Sequence, residues 1–350
     1  MRSAAAVELD GAHGEGGGSI VRTALAMSAL TGQPVAIRNV RGGLRKPGVG
    51  PIDLATAEAL SLATRAETSA RLGDDLLLFA PRKPLAPVRH RIDLNAIAKG
   101  VQPGSAVLIL LSLLVPLARS GGIGLISCRG GTHVPFAPTY DYFRFVTLPA
   151  LARAGVVALP AIQSAGYSHR GGGEVSLEIE PSGLNGFEFE ERGAMLSVRA
   201  AVVISELPEA TGIRGSSRLE QLAKKNDLDM KVEMHKLRSP GPGAAVTIGA
   251  EFAGALGGAQ ALGQRGKPME EVVDEAFYDF IHWLNGDAGT DQFLADHLVL
   301  PAALCDEPCA YTTSRITLTL TTTVWVIKQF MPAKITVYGE EGEPGEVRFG

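Results

Sequence analysis

The sequence has few cysteines and lacks the paired-cysteine motifs that bind zinc. Its 350 residues include three cysteines, Cys128, Cys305 and Cys309, and the last two form a single C-x3-C. A disulfide framework or a structural zinc site needs several cysteines or histidines at short, recurring spacings. We therefore interpret the three cysteines as free thiols in a reducing compartment.

Acidic and basic residues are nearly balanced in number, and aromatic residues are scarce. Lys and Arg number 33 and Asp and Glu 37, which gives a net charge of −4, and 6% of the residues are aromatic. With 45% hydrophobic and 20% charged residues, the chain has enough apolar surface to fold, which excludes general disorder. The composition does not predict DNA binding, and an RNA site would have to be a local basic patch.

Long hydrophobic runs are also missing. The longest, Ala106 to Ala118, contains Ser112 and Pro116 and is too short to span a bilayer. No basic segment followed by an apolar stretch opens the chain, so a secretory signal is not expected. The run therefore predicts a core helix, and the sequence predicts a cytoplasmic protein with no membrane partner. Composition leaves the oligomeric state open.

A glycine-rich turn that leads into a helix is the most informative feature of the chain. The turn comprises Gly14–Gly18, and apolar residues follow at helical spacing over 19–30. Its glycines let the backbone turn sharply and lie close to a ligand, and the free N–H groups at the helix start favour an anion. Glu15 and Arg22 add partners for a metal, a ribose or a phosphate. Taken alone, the segment is equally well explained as a tight turn with Glu15 in solvent.

The order helix, short break, strand, turn and second helix occurs three times along the chain. The helices have apolar residues at helical spacing, and the strands are rich in β-branched residues. The predicted elements are 19–30, 35–40 and 52–65, then 105–117, 123–128 and 143–154, then 291–304, 316–322 and 324–330. Each unit has an apolar face to bury, so we expect the three to pack around shared cores. The alternative is an irregular α+β protein with chance internal similarity.

A smaller α/β domain is expected at about residues 185–283, inserted into a large domain formed by 1–184 and 284–350. It follows a predicted strand at 174–180, which we assign as the first strand of the third copy. The insert contains predicted strands at 195–204, 229–235 and 244–252 and predicted helices at 218–225 and 269–284. The predicted fold class is therefore α+β, with three repeated α/β units and a smaller inserted α/β domain.

Short motifs over nearly the whole chain resemble the RNA 3′-terminal phosphate cyclase family and occur in its order. They are Leu9–Gly18 with Arg22, Val40–Gly43 with Lys46–Gly48, Gly130–Thr132 with Pro135 and Pro138, Gly171–Gly173, Gly241–Gly243, Leu294–Leu298 and Phe330–Pro332. The resemblance implies three repeats similar to the C-terminal domain of translation initiation factor 3, plus the inserted domain. It also implies ATP-dependent conversion of an RNA 3′-phosphate to a 2′,3′-cyclic phosphate, with ATP and Mg²⁺ as cofactors and an RNA 3′ end as partner.

The same resemblance implies which residues form the site. Nucleotide contacts are expected from Glu15, Gly17, Gly18, Pro135, Asp296 and His297, and Glu15 is also the candidate metal ligand. Contacts to the RNA end are expected from Arg22, Arg41 and Arg45, since guanidinium groups hold a terminal phosphate with paired hydrogen bonds. The alternatives are an ordinary surface role for the arginines and a structural role for Asp296 and His297 on their helix.

The chain departs from the family's pattern at the catalytic position. Family enzymes form a covalent adenylate on a histidine, and counting back from Phe330–Pro332 places Thr319 there. A neutral imidazole attacks phosphorus near neutral pH and leaves a labile phosphoramidate, whereas a threonine hydroxyl needs a base and leaves a more stable ester. Thr319 is predicted to be an ordinary strand residue. His297 and His133 are the main remaining candidates for a catalytic histidine and His13 is a third, with a structural or solvated role as the alternative for each.

Other departures concern contacts with the RNA end. Leu44 and Ile52 stand where family members often carry Arg and Gln, Leu111 stands where a Gln usually occurs, and His13 replaces a Gln of the bacterial enzymes.

Three functions stay open: an ATP-dependent enzyme acting on RNA 3′ ends, a catalytically silent relative that binds RNA or a ribonucleoprotein, and an enzyme repurposed for a small phosphorylated substrate. The last rests on analogy of fold alone.

Overall fold

Three units of the same topology form most of the molecule. The computed structural model describes residues 5–167 and 170–350. Each unit contributes two parallel strands separated by a helix, then a second helical segment and two further strands. The four strands form a sheet in the order first, second, fourth, third, and this order is the same in all three units. The structure thereby confirms the predicted α+β fold of repeated α/β units.

The bounds of the elements follow chain order. The first unit contains β1 (Val7–Asp10), α1 (Gly18–Thr31), β2 (Val35–Arg38), α2 (Pro51–Thr64), β3 (Glu67–Thr68) and β4 (Leu77–Ala80). The second contains β5 (Arg89–Asp93), α3 (Leu94–Ala98), α4 (Ala106–Ala118), β6 (Gly124–Gly130), α5 (Tyr140–Tyr142), a π-helical segment (Phe143–Thr147), α6 (Leu148–Arg153), β7 (Ala158–Ser164) and β8 (Gly173–Ile179).

The third unit is split by the elements of a small sheet. It begins with β9 (Glu188–Phe189), and the small unit follows with β10 (Met195–Ser205), α7 (Glu209–Lys225), β11 (Met230–Lys236), β12 (Gly243–Phe252), β13 (Leu256–Leu262) and α8 (Met269–Asn285). The third unit then continues with α9 (Gln292–Ala303), β14 (Cys309–Thr313), α10 (Leu318–Phe330), β15 (Ile335–Tyr338) and β16 (Gly345–Phe349).

The helices of the three units pack on one another and share one hydrophobic core. Helix α1 contacts α2, α4 and α10, and α9 contacts α4 and α10. Leu25, Leu110 and Leu298, one from each unit, are fully buried in this core. The apolar run Ala106–Ala118 forms α4, the core helix that the sequence predicts. Among the residues that the structure describes, none of the helices combines the length and apolar character that crossing a bilayer requires.

The prediction of a strand at 316–322 is wrong, because helix α10 begins within this segment. The Thr317 side chain accepts a hydrogen bond from Leu320 N at 2.9 Å and so caps the helix. Leu320, Val324 and Ile327 then recur at helical spacing and are buried. The β-branched residues that favoured a strand are outweighed by this cap and by burial of one helix face. Thr319 therefore lies in the first turn of a helix, and the strand of the third unit is β14.

The structure contains the strand predicted at 174–180, but the assignment of this strand to the third unit is wrong. As β8 it pairs antiparallel with β6 and β7 and completes the second sheet. The first strand of the third unit is β9, which pairs parallel with β14. Strand composition identifies β structure but carries no information about the pairing partner, and β9 is too short to produce a pattern in the sequence.

The small unit has its own sheet and its own core. Its strand order is β11-β10-β12-β13, and its core lies within residues 198–283. The sequence did not predict β13, whose residues include two glycines and none with a β-branched side chain. A Cβ atom at position 257 would overlap the ring of Trp283, which explains the need for glycine at this point of the strand. Domain boundaries at 185 and 283 stay a prediction.

Asp291 joins the two cores through a single buried carboxylate. It caps helix α9 by accepting hydrogen bonds from Phe293 N at 2.8 Å and Leu294 N at 3.1 Å. It also accepts from the Tyr142 hydroxyl at 2.7 Å and from Gly258 N on β13 at 2.8 Å. Burial raises the pKa of Asp291, and these hydrogen bonds oppose the rise. The second unit, the third unit and the small sheet are therefore all held at one residue.

We predict that Asp291→Ala lowers the free energy of unfolding by about 3 kcal/mol or more, because it removes a cap and leaves buried donors unpaired. Urea unfolding followed by circular dichroism measures the loss. Asp229→Ala, at an exposed position, is the control and should change stability by less than about 0.5 kcal/mol. Equal effects of the two substitutions would contradict the assignment of Asp291 as the residue that joins the cores.

Candidate active site

The glycine-rich turn is docked on helix α10 by a set of hydrogen bonds from Glu15. Glu15 N donates to Thr322 Oγ1 at 3.0 Å, and Glu15 Oε1 accepts from Ser19 N, at the start of α1, at 2.8 Å. Glu15 Oε2 accepts from Thr319 Oγ1 at 2.7 Å. Gly14 has a φ of +55°, and a Cβ atom there would overlap Thr322 Oγ1. Glycine is therefore required for this turn to approach the helix.

Five of the predicted site residues line one cavity of about 520 Å³: Glu15, Arg22, Asp296, His297 and Thr319. Apolar side chains of α1, α4 and α9 form much of the remaining wall, among them Ala26, Leu108, Leu111, Val115 and Leu300. The cavity thus has a polar side at the glycine-rich turn and an apolar side between the helices, as small-molecule sites commonly do.

The acid and the histidine on helix α9 are both held uncharged at neutral pH. Burial raises the pKa of Asp296 to about 8; the hydrogen bond from the Thr317 hydroxyl opposes this rise, and the nearby Glu15 carboxylate adds to it. Burial lowers the pKa of His297 to about 3, and the Arg22 cation contributes. Thr147 Oγ1 lies 3.1 Å from His297 Nδ1. Within the cavity, Asp296 is therefore a proton donor at pH 7, and His297 is a neutral imidazole.

Arg22 and Arg41 share a buried carboxylate, Asp53. Asp53 is 2% exposed, accepts from Gly50 N at 2.9 Å, and lies 4.0 Å from Arg41 Nη1. Burial lowers the pKa of Arg22, and the charges of Asp53 and Glu15 oppose that. A Cβ atom on Gly18 would meet Arg22 Nη1 and would lie 3.7 Å from Asp53 Oδ1. The glycine turn thus makes room for the guanidinium, and the negative charge of Asp53 acts on both arginines.

The other predicted site residues lie outside the lining of the cavity. Gly17 precedes helix α1 beside Glu15, and Gly18 begins the helix. Arg45 is exposed on the loop after Arg41, and Pro135 is exposed next to the loop residues 136–138 that do line the cavity. His133 is buried in a different network, with Nδ1 2.8 Å from Thr132 Oγ1 and Nε2 3.4 Å from Asp141 Oδ2. The structure therefore places His297, and not His133, at the cavity.

Sequence reasoning missed Asp53 and two exposed aromatic rings. Asp53 lies in the first turn of α2, and the need of two nearby arginines for a counter-charge could have indicated it. Phe293 is 44% exposed and lines the cavity beside Asp296. Phe136 is fully exposed, lines the cavity, and has a φ of +60°. A phenylalanine in that backbone region is uncommon, and such strain often occurs at functional sites.

No group of three or more His, Cys, Asp or Glu side chains forms a metal cage within residues 5–167 and 170–350. Glu15 is the predicted metal ligand, and each of its oxygens already accepts one hydrogen bond. A carboxylate oxygen has a second lone pair, so Glu15 can still contribute one ligand to a hard cation.

Comparison with known proteins finds relatives of one family along almost the whole chain. The family model described as RNA 3′-terminal phosphate cyclase matches residues 13–337. The chain is 36% identical to an RNA 3′-terminal phosphate cyclase of Methylococcus capsulatus, over 98% of this chain and 96% of that protein. It is 35% identical to one of Thermococcus onnurineus, over 98% of each chain. A solved structure of the enolpyruvyl transferase NikO from Streptomyces tendae is 16% identical, with a TM-score of 0.27 over 48% of this chain and 32% of that one. The chain belongs to the RNA 3′-terminal phosphate cyclase family.

Proposed function

We propose that this protein binds ATP in the cavity and uses it to convert RNA 3′-phosphates to 2′,3′-cyclic phosphates. The observation that carries the proposal is the convergence of Glu15, Arg22, Asp296 and Thr319 on one cavity of about 520 Å³. That volume is within the range of small-molecule sites. The similarity to RNA 3′-terminal phosphate cyclases along almost the whole chain supports the substrate class.

ATP is needed because closing a cyclic phosphate expels one oxygen of the terminal phosphate, and hydroxide is a poor leaving group. An oxygen of that phosphate attacks the α-phosphorus of ATP and expels pyrophosphate, which leaves AMP joined to the RNA phosphate. The neighbouring 2′-hydroxyl then loses its proton, attacks the RNA phosphorus and displaces AMP. The start of helix α1 offers backbone N–H groups to anionic phosphate, and Arg22 offers a cation. The apolar wall between α1, α4 and α9, with Phe293 at its edge, suits a flat base.

Mg²⁺ would be held by the Glu15 carboxylate together with phosphate oxygens and water, the ligands that a small hard cation prefers. When bound, it would neutralise phosphate charge. In its protonated form, Asp296 would also favour a bound phosphate, because a neutral carboxyl can donate a hydrogen bond to a phosphate oxygen, whereas a carboxylate would repel it.

Arg22 and Arg41 are the proposed contacts of the RNA terminal phosphate. Arg22 lines the cavity, and Arg41 approaches the same Asp53 from the loop at its edge. Asp53 is near enough to Arg41 for an ion pair and acts on Arg22 through its charge, and the guanidinium N–H groups that it does not engage can donate to a second anion. A terminal phosphate with two negative charges fits this arrangement better than a phosphodiester.

Thr319 is assigned a positioning role. Its hydroxyl donates to Glu15 Oε2 at 2.7 Å, which fixes the carboxylate of the glycine turn. A nucleotidyl ester on threonine would be slow to transfer its AMP, because an alkoxide is a poor leaving group. Direct attack of the RNA phosphate oxygen on the α-phosphorus of ATP avoids that ester. The proposed reaction therefore has no covalent protein intermediate.

A catalytically silent RNA-binding protein is the second candidate, and one observation favours it. The position at which the family carries its nucleophile is occupied by Thr319, and the neighbouring His297 has its pKa lowered to about 3 by burial, so that imidazole is a weak base. Binding of ATP without any turnover would support this second function.

Incubation with α-labelled ATP, Mg²⁺ and a 3′-phosphorylated RNA tests the reaction and its route. We expect a phosphatase-resistant RNA end and no labelled protein, because Thr319 does not carry AMP. Glu15→Gln should lower the rate about 10- to 150-fold, as expected for loss of a charged hydrogen-bond partner worth roughly 1.5–3 kcal/mol. Thr319→His should produce a labelled protein if the rest of the family's site is intact. Nucleotide binding without a cyclic product would reject the enzymatic proposal.

Arg22→Ala and Arg41→Ala should each weaken binding of 3′-phosphorylated RNA more than binding of the same RNA with a 3′-hydroxyl. The expected difference is about 10- to 150-fold, from roughly 1.5–3 kcal/mol per charged hydrogen bond. Fluorescence anisotropy at fixed salt measures both affinities. Arg71→Ala, at an exposed position, should leave the difference unchanged. If both RNAs lose the same affinity, the arginines do not recognise the terminal phosphate.

Binding of AMP without metal should weaken as pH rises from 7 to 9. The pKa of Asp296 is raised to about 8, so the carboxyl is protonated below that pH and gains a negative charge above it. Repulsion of the phosphate should then lower affinity by about three- to tenfold. Calorimetry measures the change, and Asp296→Asn should remove it. An identical pH profile in this variant would show that another group titrates.

A further inference from the structure

A stacked pair of aromatic rings lies beside the cavity on the glycine-rich turn. The His13 and Trp325 ring centroids are 3.9 Å apart, and the planes differ by 18°. His13 is exposed, whereas Trp325 is partly buried against the core. One face of the imidazole is therefore covered by the indole, and the other face is open to a flat group from solvent.

Helix α10 connects this pair to the cavity. Thr319 lines the cavity, Thr322 accepts the hydrogen bond from Glu15 N, and Trp325 stacks on His13. Successive members are three residues apart, so Thr319 neighbours Thr322 and Thr322 neighbours Trp325 on the helix surface. Six residues of helix rise by about 9 Å. The stack is thus a short distance from the polar end of the cavity, along the same turn that carries Glu15.

A basic loop borders the glycine turn on its other side. Gly43 N donates to Gly16 O at 3.0 Å, and Gly42 N donates to Gly11 O at 3.3 Å. The residues that follow, 44–47, are exposed and include Arg45 and Lys46. The turn that carries His13 is therefore flanked by cations on one side and by helix α10 on the other.

We propose that His13, supported by Trp325, is a stacking platform for a base of single-stranded RNA close to its 3′ end, and that Arg45 and Lys46 follow the adjoining backbone. An aromatic ring beside a basic track is the arrangement by which proteins hold single strands without reading their sequence. The inference rests on the proposed function for the position of the RNA end. It adds a subsite for a base of the RNA, separate from the apolar cavity wall proposed for the base of ATP and from the two arginines proposed for the terminal phosphate.

The test compares 3′-phosphorylated ten-nucleotide RNAs that carry one abasic site at successive positions from the 3′ end. In the wild type, one position near the end should lose about 5- to 150-fold in affinity, as expected for a stacked base worth roughly 1–3 kcal/mol. His13→Ala should weaken the intact RNA and remove the penalty at that position alone. His13→Phe should retain the penalty, because it keeps a ring at this position.

A matched control and a salt titration separate stacking from charge. His282→Ala removes an exposed histidine that stacks on Tyr278 in the small unit and should leave every affinity unchanged. Arg45→Gln and Lys46→Gln should weaken all the RNAs equally, and each should lower the slope of log affinity against log salt by about one.

The outcomes distinguish this inference from the proposed function. If the 3′-phosphate is preferred over the 3′-hydroxyl but His13→Ala weakens all abasic RNAs equally, or weakens none, the platform is rejected and the proposed function stands. If the protein binds neither ATP nor 3′-phosphorylated RNA, both are rejected.

Discussion

The cavity exists because Glu15 fastens a turn of the first unit to a helix of the third. Its backbone reaches Thr322, which lies 307 positions away in the sequence, and its carboxylate accepts hydrogen bonds from both Ser19 N and the Thr319 hydroxyl. These bonds fix the glycine turn against the start of α10, in addition to the packing of α1 on α10. The polar wall, the start of α1 and the His13–Trp325 stack all depend on that docking.

The charge of the cavity depends more on the burial of its ionisable side chains than on their number. Asp296 and His297 face the cavity, yet burial keeps the first protonated and the second neutral near pH 7. Arg22 stays a cation because Asp53 and Glu15 oppose the effect of its burial. The arginine charge is therefore not cancelled by Asp296, and Glu15 is left as the carboxylate that faces Arg22 in the cavity.

Periodicity in the sequence predicted the repeated units and the core helix at Ala106–Ala118. The family resemblance named five of the residues that line the cavity, Glu15, Arg22, Asp296, His297 and Thr319. The sequence did not predict that 316–322 is helical, since local β propensity opposed a cap and a buried face that act only in the folded chain. The pairing of β8, the shared carboxylate of Asp53 and the stack of His13 on Trp325 depend on contacts between distant segments. Such contacts leave no periodic signal in one sequence.

A histidine at position 319 would have two properties in this site, and Thr319 has only one of them. One is electrostatic: helices α1 and α10 both begin at the glycine turn, and the positive ends of their dipoles favour phosphate whatever side chain stands at 319. The other is nucleophilic attack, which requires the imidazole itself. Thr319 retains the first, since it keeps α10 bound to Glu15, and loses the second. Under the proposed function, a site that stabilises phosphate charge without a nucleophile of its own suits direct attack by the RNA phosphate on ATP, because binding both reactants in one place supplies much of the rate enhancement.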